Sequence, residues 1–110
     1  MHLSITFKNV DSSEYLKSYA QEKLDRLDKL LDHPGSADLV LRVENQSRIA
    51  EINLKSNHLS IHAREENTEM HAAIDIATDK LKRQITKKKE KQQIRRTRNG
   101  DFPEDTSMVA

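Results

Sequence analysis

Over the first eight residues apolar and polar positions alternate: Leu3, Ile5 and Phe7 share one face, and His2, Ser4, Thr6 and Lys8 the other. A period of two predicts a half-buried strand. The pattern then changes. Leu16, Ala20, Leu24, Leu27 and Leu31 recur at spacings of three and four, widened by Tyr15, Tyr19 and Leu30. That stripe predicts an amphipathic helix. Asp11 with Glu14 predicts a capping box at its start, and His33-Pro34-Gly35 predicts its stop. Three short alternating runs follow, with Leu39, Leu41 and Val43, then Ala50, Ile52 and Leu54, then Leu59, Ile61 and Ala63 on their apolar faces. The breaks between them, at 45–47 and 56–57, have hairpin length. A second helix is predicted after a cap at Asn67 or Thr68, with Glu69 near the positive end of its dipole. Its buried stripe is Met70, Ile74, Ala77, Leu81 and Ile85.

The predicted order is β-α-β-β-β-α. Each strand has one apolar face, and two amphipathic helices suffice to cover it. The fold class is therefore an α+β two-layer sandwich: a four-stranded mixed sheet with two helices on one face and water on the other. The first crossover makes the first two strands parallel if adjacent, and the other pairs are antiparallel hairpins. Residues 1–95 are expected to form a single domain. Residues 96–110, with "NGDFPEDTSMVA" at 99–110, are expected to form a disordered tail.

Composition narrows the chemistry. There is no cysteine, which excludes disulfides, thiolate metal sites and a cysteine nucleophile. Two glycines, Gly35 and Gly100, cannot build a glycine-rich phosphate loop. No serine, histidine and aspartate fall into a recognisable catalytic spacing. Of the five histidines, His58 and His62 are placed on one strand's polar face and His2 on another's, and they are read as surface imidazoles rather than metal ligands. No catalysis, metal or cofactor is expected. No apolar run approaches the roughly 20 residues of a membrane span, and the chain reads as cytoplasmic.

Charge changes the picture most. From Lys80 to Arg98 there are ten Lys or Arg residues and a single acid, Glu90, in a chain whose net charge is only +1. Continued as a helix past Ile85, this stretch sets Lys80, Arg83, Lys87 and Lys91 on one side, with Lys82, Lys88 and Lys89 on the flanks. Such density attracts nucleic-acid phosphates by releasing their counterions. A disordered basic tail and an acidic protein partner are the competing readings. Phe7, Tyr15 and Tyr19 are assigned to the core and Phe102 to the tail. That leaves no aromatic pair to stack bases on the sheet and favours structured RNA, read through phosphates and shape.

"EMHAAIDIATDKLKRQITKKKEK" (69–91), with "ITFKNVDSSEYLKSYAQEKLDRLDKLLD", "LRVE" and "IHA" before it, resembles the short form of the bacterial ribosome hibernation promoting factors and the related ribosome-associated inhibitor, protein Y. The resemblance covers residues 1 to about 92. It implies the same β-α-β-β-β-α fold. It also implies a protein that binds rRNA in the decoding region of the small ribosomal subunit, blocks mRNA and tRNA, and promotes storage of inactive, dimeric ribosomes in stationary phase. Carried onto this chain, the rRNA-binding residues are Lys23, Arg26, Lys80, Lys82, Arg83, Lys87, Lys88 and Lys91. A separate ribosome modulation factor is an implied partner of the short form. His71 stands where the family usually has tyrosine, and the second hairpin lacks the usual glycine. The acidic "DFPED" is similar to the tailed inhibitor, which opposes dimers. A general structured-RNA-binding module remains the other alternative.

Overall fold

The computed structural model describes residues 1–100, with side chains through residue 90. Its elements are β1 (His2–Lys8), α1 (Glu14–Leu27), a 3-10 turn (Asp28–Leu30), β2 (Ser36–Glu44), β3 (Ser47–Ser56), β4 (Leu59–Asn67) and α2 (Met70–Gly100). The four strands form one sheet in the order β1-β2-β3-β4. β1 runs parallel to β2, and the two hairpins are antiparallel. The mixed sheet with two helices is the fold expected from the alternation of apolar residues. The expected division at residue 95 falls within α2, and residues 101–110 of the expected tail lie outside the described residues.

The register explains why a single face is apolar. Leu39 opposes Ile52, which opposes Ala63, while Leu54 lies between Ala37 and Ile61. With side chains alternating along each strand, these residues all face the helices. Leu24 and Leu27 of α1, and Met70, Ile74, Ala77, Leu81 and Ile85 of α2, close the core over them. Ile49 breaks the pattern. It lies between Arg42 and Glu66 on the other face and is only 1% exposed.

Both hairpins turn in two residues, since Glu44 pairs with Ser47 and Ser56 with Leu59. Asn45 and Asn57 open these turns with φ of 57° and 55°. Asparagine tolerates this left-handed region, so the second hairpin does without the expected glycine. His58 consequently sits in the turn, and only His62 lies within β4.

The start of α1 differs from the predicted capping box. Ser13, in extended conformation, is the N-cap, and its Oγ accepts the Leu16 N–H at 3.2 Å. The helix thus begins two residues later than a cap at Asp11 requires, and Glu14 becomes its first residue. At α2, Asn67 Oδ1 accepts the Glu69 N–H at 3.2 Å, as the cap there predicts.

Candidate nucleic-acid interface

α1 and α2 run in the same direction. Near their starts, Tyr15 lies against His71 with ring centroids 5.4 Å apart. Farther along, Tyr19 and Lys23 both reach Asp75. At 3.6 residues per turn, Tyr15, Tyr19, Lys23 and Arg26 follow one ridge of α1. His71, Asp75 and Lys82 follow the opposing ridge of α2 by the same periodicity. The seam between the helices therefore passes from aromatic to basic residues.

Beyond Ile85, α2 has no further partner in the described core. Its sequence there is rich in Lys, Gln and Arg, which are good helix formers, and the segment continues the packed helix before it. Consecutive residues turn by about 100°, so Lys87, Lys88 and Lys89 point in three directions around this segment. All three are exposed, and they line an open groove of about 640 Å³ with His33 and His58. Leu31, Leu59 and Ile85 contribute its apolar lining. Ser56 Oγ holds the groove's opposite wall by donating to the His33 carbonyl at 2.8 Å.

The candidate cations fall into two groups. Lys23 Nζ lies 3.1 Å from Asp75 Oδ1, Arg26 lies 3.6 Å from Glu22, and Lys80 Nζ lies 2.6 Å from Glu65 on β4. These three cations are partly neutralised by acids of the protein itself. Lys82, Arg83, Lys87 and Lys88 are exposed and form no ion pair among the described residues. Lys91 lies in α2 beyond the described side chains. The expected stripe is thus a set of unneutralised charges wrapped around α2, with paired cations at its margins.

Between the helices lies a network that the linear sequence does not display. Tyr19 donates its hydroxyl to Asp75 Oδ1 at 2.6 Å, and Lys23 reaches the same oxygen. The hydrogen bond to Asp75 is the main cause that pushes the Tyr19 hydroxyl up to about 12. Burial raises the Asp75 carboxyl, but the hydrogen bonds from Tyr19 and Lys23 and the charges of Lys23 and His71 outweigh it, leaving the carboxyl below its ordinary 3.8. A depressed carboxyl stabilises the fold above its unfolded value, and the contribution disappears as pH falls through the folded value. The stability difference between wild type and Asp75→Asn at about pH 5 should therefore shrink as the pH falls through about 4 towards 3. Urea unfolding across that range measures it, and a gap that widens in acid would contradict the network.

Tyr15 departs from its assignment to the core. It is 60% exposed, because it precedes Leu16 and is rotated by about a third of a turn off the buried face. Among the described residues, no group of three or more His, Asp or Glu side chains is placed to hold a metal ion.

Known proteins share this fold and supply its family. The family described as "Sigma 54 modulation protein / S30EA ribosomal protein" matches residues 3–93. The chain belongs to that family. It is 40% identical over 91 residues to a ribosome hibernation promoting factor of Klebsiella oxytoca, covering 83% of this chain and 96% of the relative. A protein of the same name from Azotobacter vinelandii is 34% identical over 108 residues, covering 98% of this chain and 99% of the relative. Among solved structures, the Protein Y N-terminal domain of Thermus thermophilus superposes with a TM-score of 0.75 at 28% identity, covering 79% of this chain and 98% of that one. A ribosomal subunit interface protein from Coxiella burnetii gives 0.73 at 25% identity, covering 82% and 99%.

Proposed function

We propose that this protein is a cytoplasmic ribosome hibernation factor. It binds rRNA in the decoding region of the small ribosomal subunit, occludes mRNA and tRNA, inhibits translation and promotes storage of inactive, dimeric ribosomes in stationary phase. The observation that carries the reading is the exposed set Lys82, Arg83, Lys87 and Lys88, unneutralised among the described residues. It lies on a helix within the family match, and the relatives bear the hibernation name. Dense cations without interleaved acids suit a polyphosphate surface. The action is steric, since occupying the site is sufficient to exclude other ligands.

The tailed-inhibitor alternative rests on the acidic residues Asp101, Glu104 and Asp105. The Azotobacter relative, whose match spans 98% of this chain, carries the hibernation name and supports the promoting role. Sedimentation of the protein with ribosomes and separated subunits through a sucrose gradient tests the proposal. The protein should travel with the small subunit and the intact ribosome, and the dimer peak should grow when a modulation factor is added. Migration with the large subunit alone would refute the reading, and a shrinking dimer peak would favour the inhibitor.

A further inference from the structure

Tyr15, Tyr19 and His71 form an aromatic cluster at one end of the helix seam. The two tyrosine rings are 28° from parallel with centroids 6.1 Å apart, and His71 meets both edge-on at 5.4 and 5.5 Å. The inner ring is pinned. Tyr19 donates to Asp75 at 2.6 Å, and the Lys23 ammonium lies 5.8 Å from its ring centroid. The outer ring, Tyr15, is the one large hydrophobic side chain strongly exposed among the described residues.

The fold gives Tyr15 no packing task, because Leu16, Ala20, Leu24 and Leu27 already cover the sheet from α1. A single exposed aromatic would need no explanation. This one is held by two further rings, and its ridge continues into Lys23 and Arg26. A held aromatic ring at one end of a seam that leads to the exposed Lys82, unpaired among the described residues, suits an RNA strand, with one base on the ring and a phosphate farther along on that cation. We propose that Tyr15 is a stacking site for one unpaired nucleobase of RNA, at the end of the seam away from Lys87 and Lys88. His71 and Tyr19 are positioning residues that hold the Tyr15 ring before binding, which lowers the ordering cost. The proposal deepens the rRNA reading and rests on it for the identity of the natural RNA.

The test uses the full chain as wild type, Tyr15→Ala and Tyr15→Phe. Each is titrated against purified small subunits and against two RNA hairpins that differ only by one bulged adenosine. Wild type should prefer the bulged hairpin, and Tyr15→Phe should retain that preference, because the ring rather than the hydroxyl stacks. Tyr15→Ala should lose the preference and bind small subunits roughly tenfold more weakly. Its salt dependence should be unchanged, because no phosphate contact is removed. Equal affinities of wild type and Tyr15→Ala for every RNA would overturn the stacking site and leave the phosphate reading standing. A loss on subunits without any hairpin preference in wild type would place Tyr15 against ribosomal protein and also overturn it. Hairpin discrimination by a wild type that ignores ribosomes would uphold the stacking site and refute the proposed function.

Discussion

Replacing Arg83, Lys87 and Lys88 together with glutamate should abolish ribosome binding and leave the domain folded. All three side chains are exposed, and none pairs with an acid among the described residues. Their substitution therefore breaks no described ion pair and opens no cavity. Surface changes of this kind usually stay within about 0.5 kcal/mol each. The binding side is different. Each cation that neutralises a phosphate adds nearly one unit to the slope of log affinity against log salt. Losing three such contacts should lower that slope by about three, and the new carboxylates add repulsion. Affinity near physiological salt should fall by roughly a hundredfold or more. Co-sedimentation at several salt concentrations, beside a thermal melt, measures both effects. Unchanged co-sedimentation in the triple variant would remove the observation on which the rRNA reading stands.

Lys80 offers the contrast that makes the experiment specific. It also lies in the basic stretch, but its ammonium is 2.6 Å from Glu65. A cation already paired with a carboxylate has less to gain from a phosphate. Its replacement should affect binding less than that of Arg83.

The sheet was legible because its signal is local. A strand with Leu39, Leu41 and Val43 on one side declares its buried face without reference to the rest of the chain. The helix stripes were legible for the same reason, and Met70, Ile74, Ala77, Leu81 and Ile85 are all buried. What the sequence hid depends on distant residues meeting. Nothing in the spacing shows that Asp75 will lie beside Tyr19 and Lys23, since that follows from two helices running in parallel. Tyr15 reads as core in the sequence because an aromatic beside an apolar stripe looks like part of it, although the buried arc is narrower. Lys80 looked equivalent to Lys87 because its acidic partner, Glu65, lies on a strand. The cap at α1 failed for a subtler reason. Asp11, Ser12 and Ser13 are all acceptable caps by composition, and the loop after β1 decides among them. Asn9 takes a left-handed φ of 57° there, and the chain enters the helix at Ser13.

Leu81→Ala should produce the opposite result to the charge reversal, a large loss of stability with binding retained by the folded protein. Leu81 is 0% exposed and belongs to the core formed by α1, α2 and the sheet. Truncating it removes buried methyl groups and leaves a cavity that rigid neighbours fill only in part. The expected cost is roughly 2–5 kcal/mol. For a domain of this size each kcal/mol lowers the melting temperature by about 4–8 °C, so the melt should shift down by roughly 10 °C or more. Leu81 immediately precedes Lys82 and Arg83, yet it points into the core while they face solvent. Well below its lowered melting temperature the variant should therefore bind ribosomes within about threefold of wild type, a difference under roughly 1 kcal/mol. Calorimetry and a low-temperature gradient run on one preparation separate the two effects. An unchanged melt would show that Leu81 does not anchor α2. A melt shifted as expected, with binding lost even in the cold, would show that the core also sets the geometry of the cations.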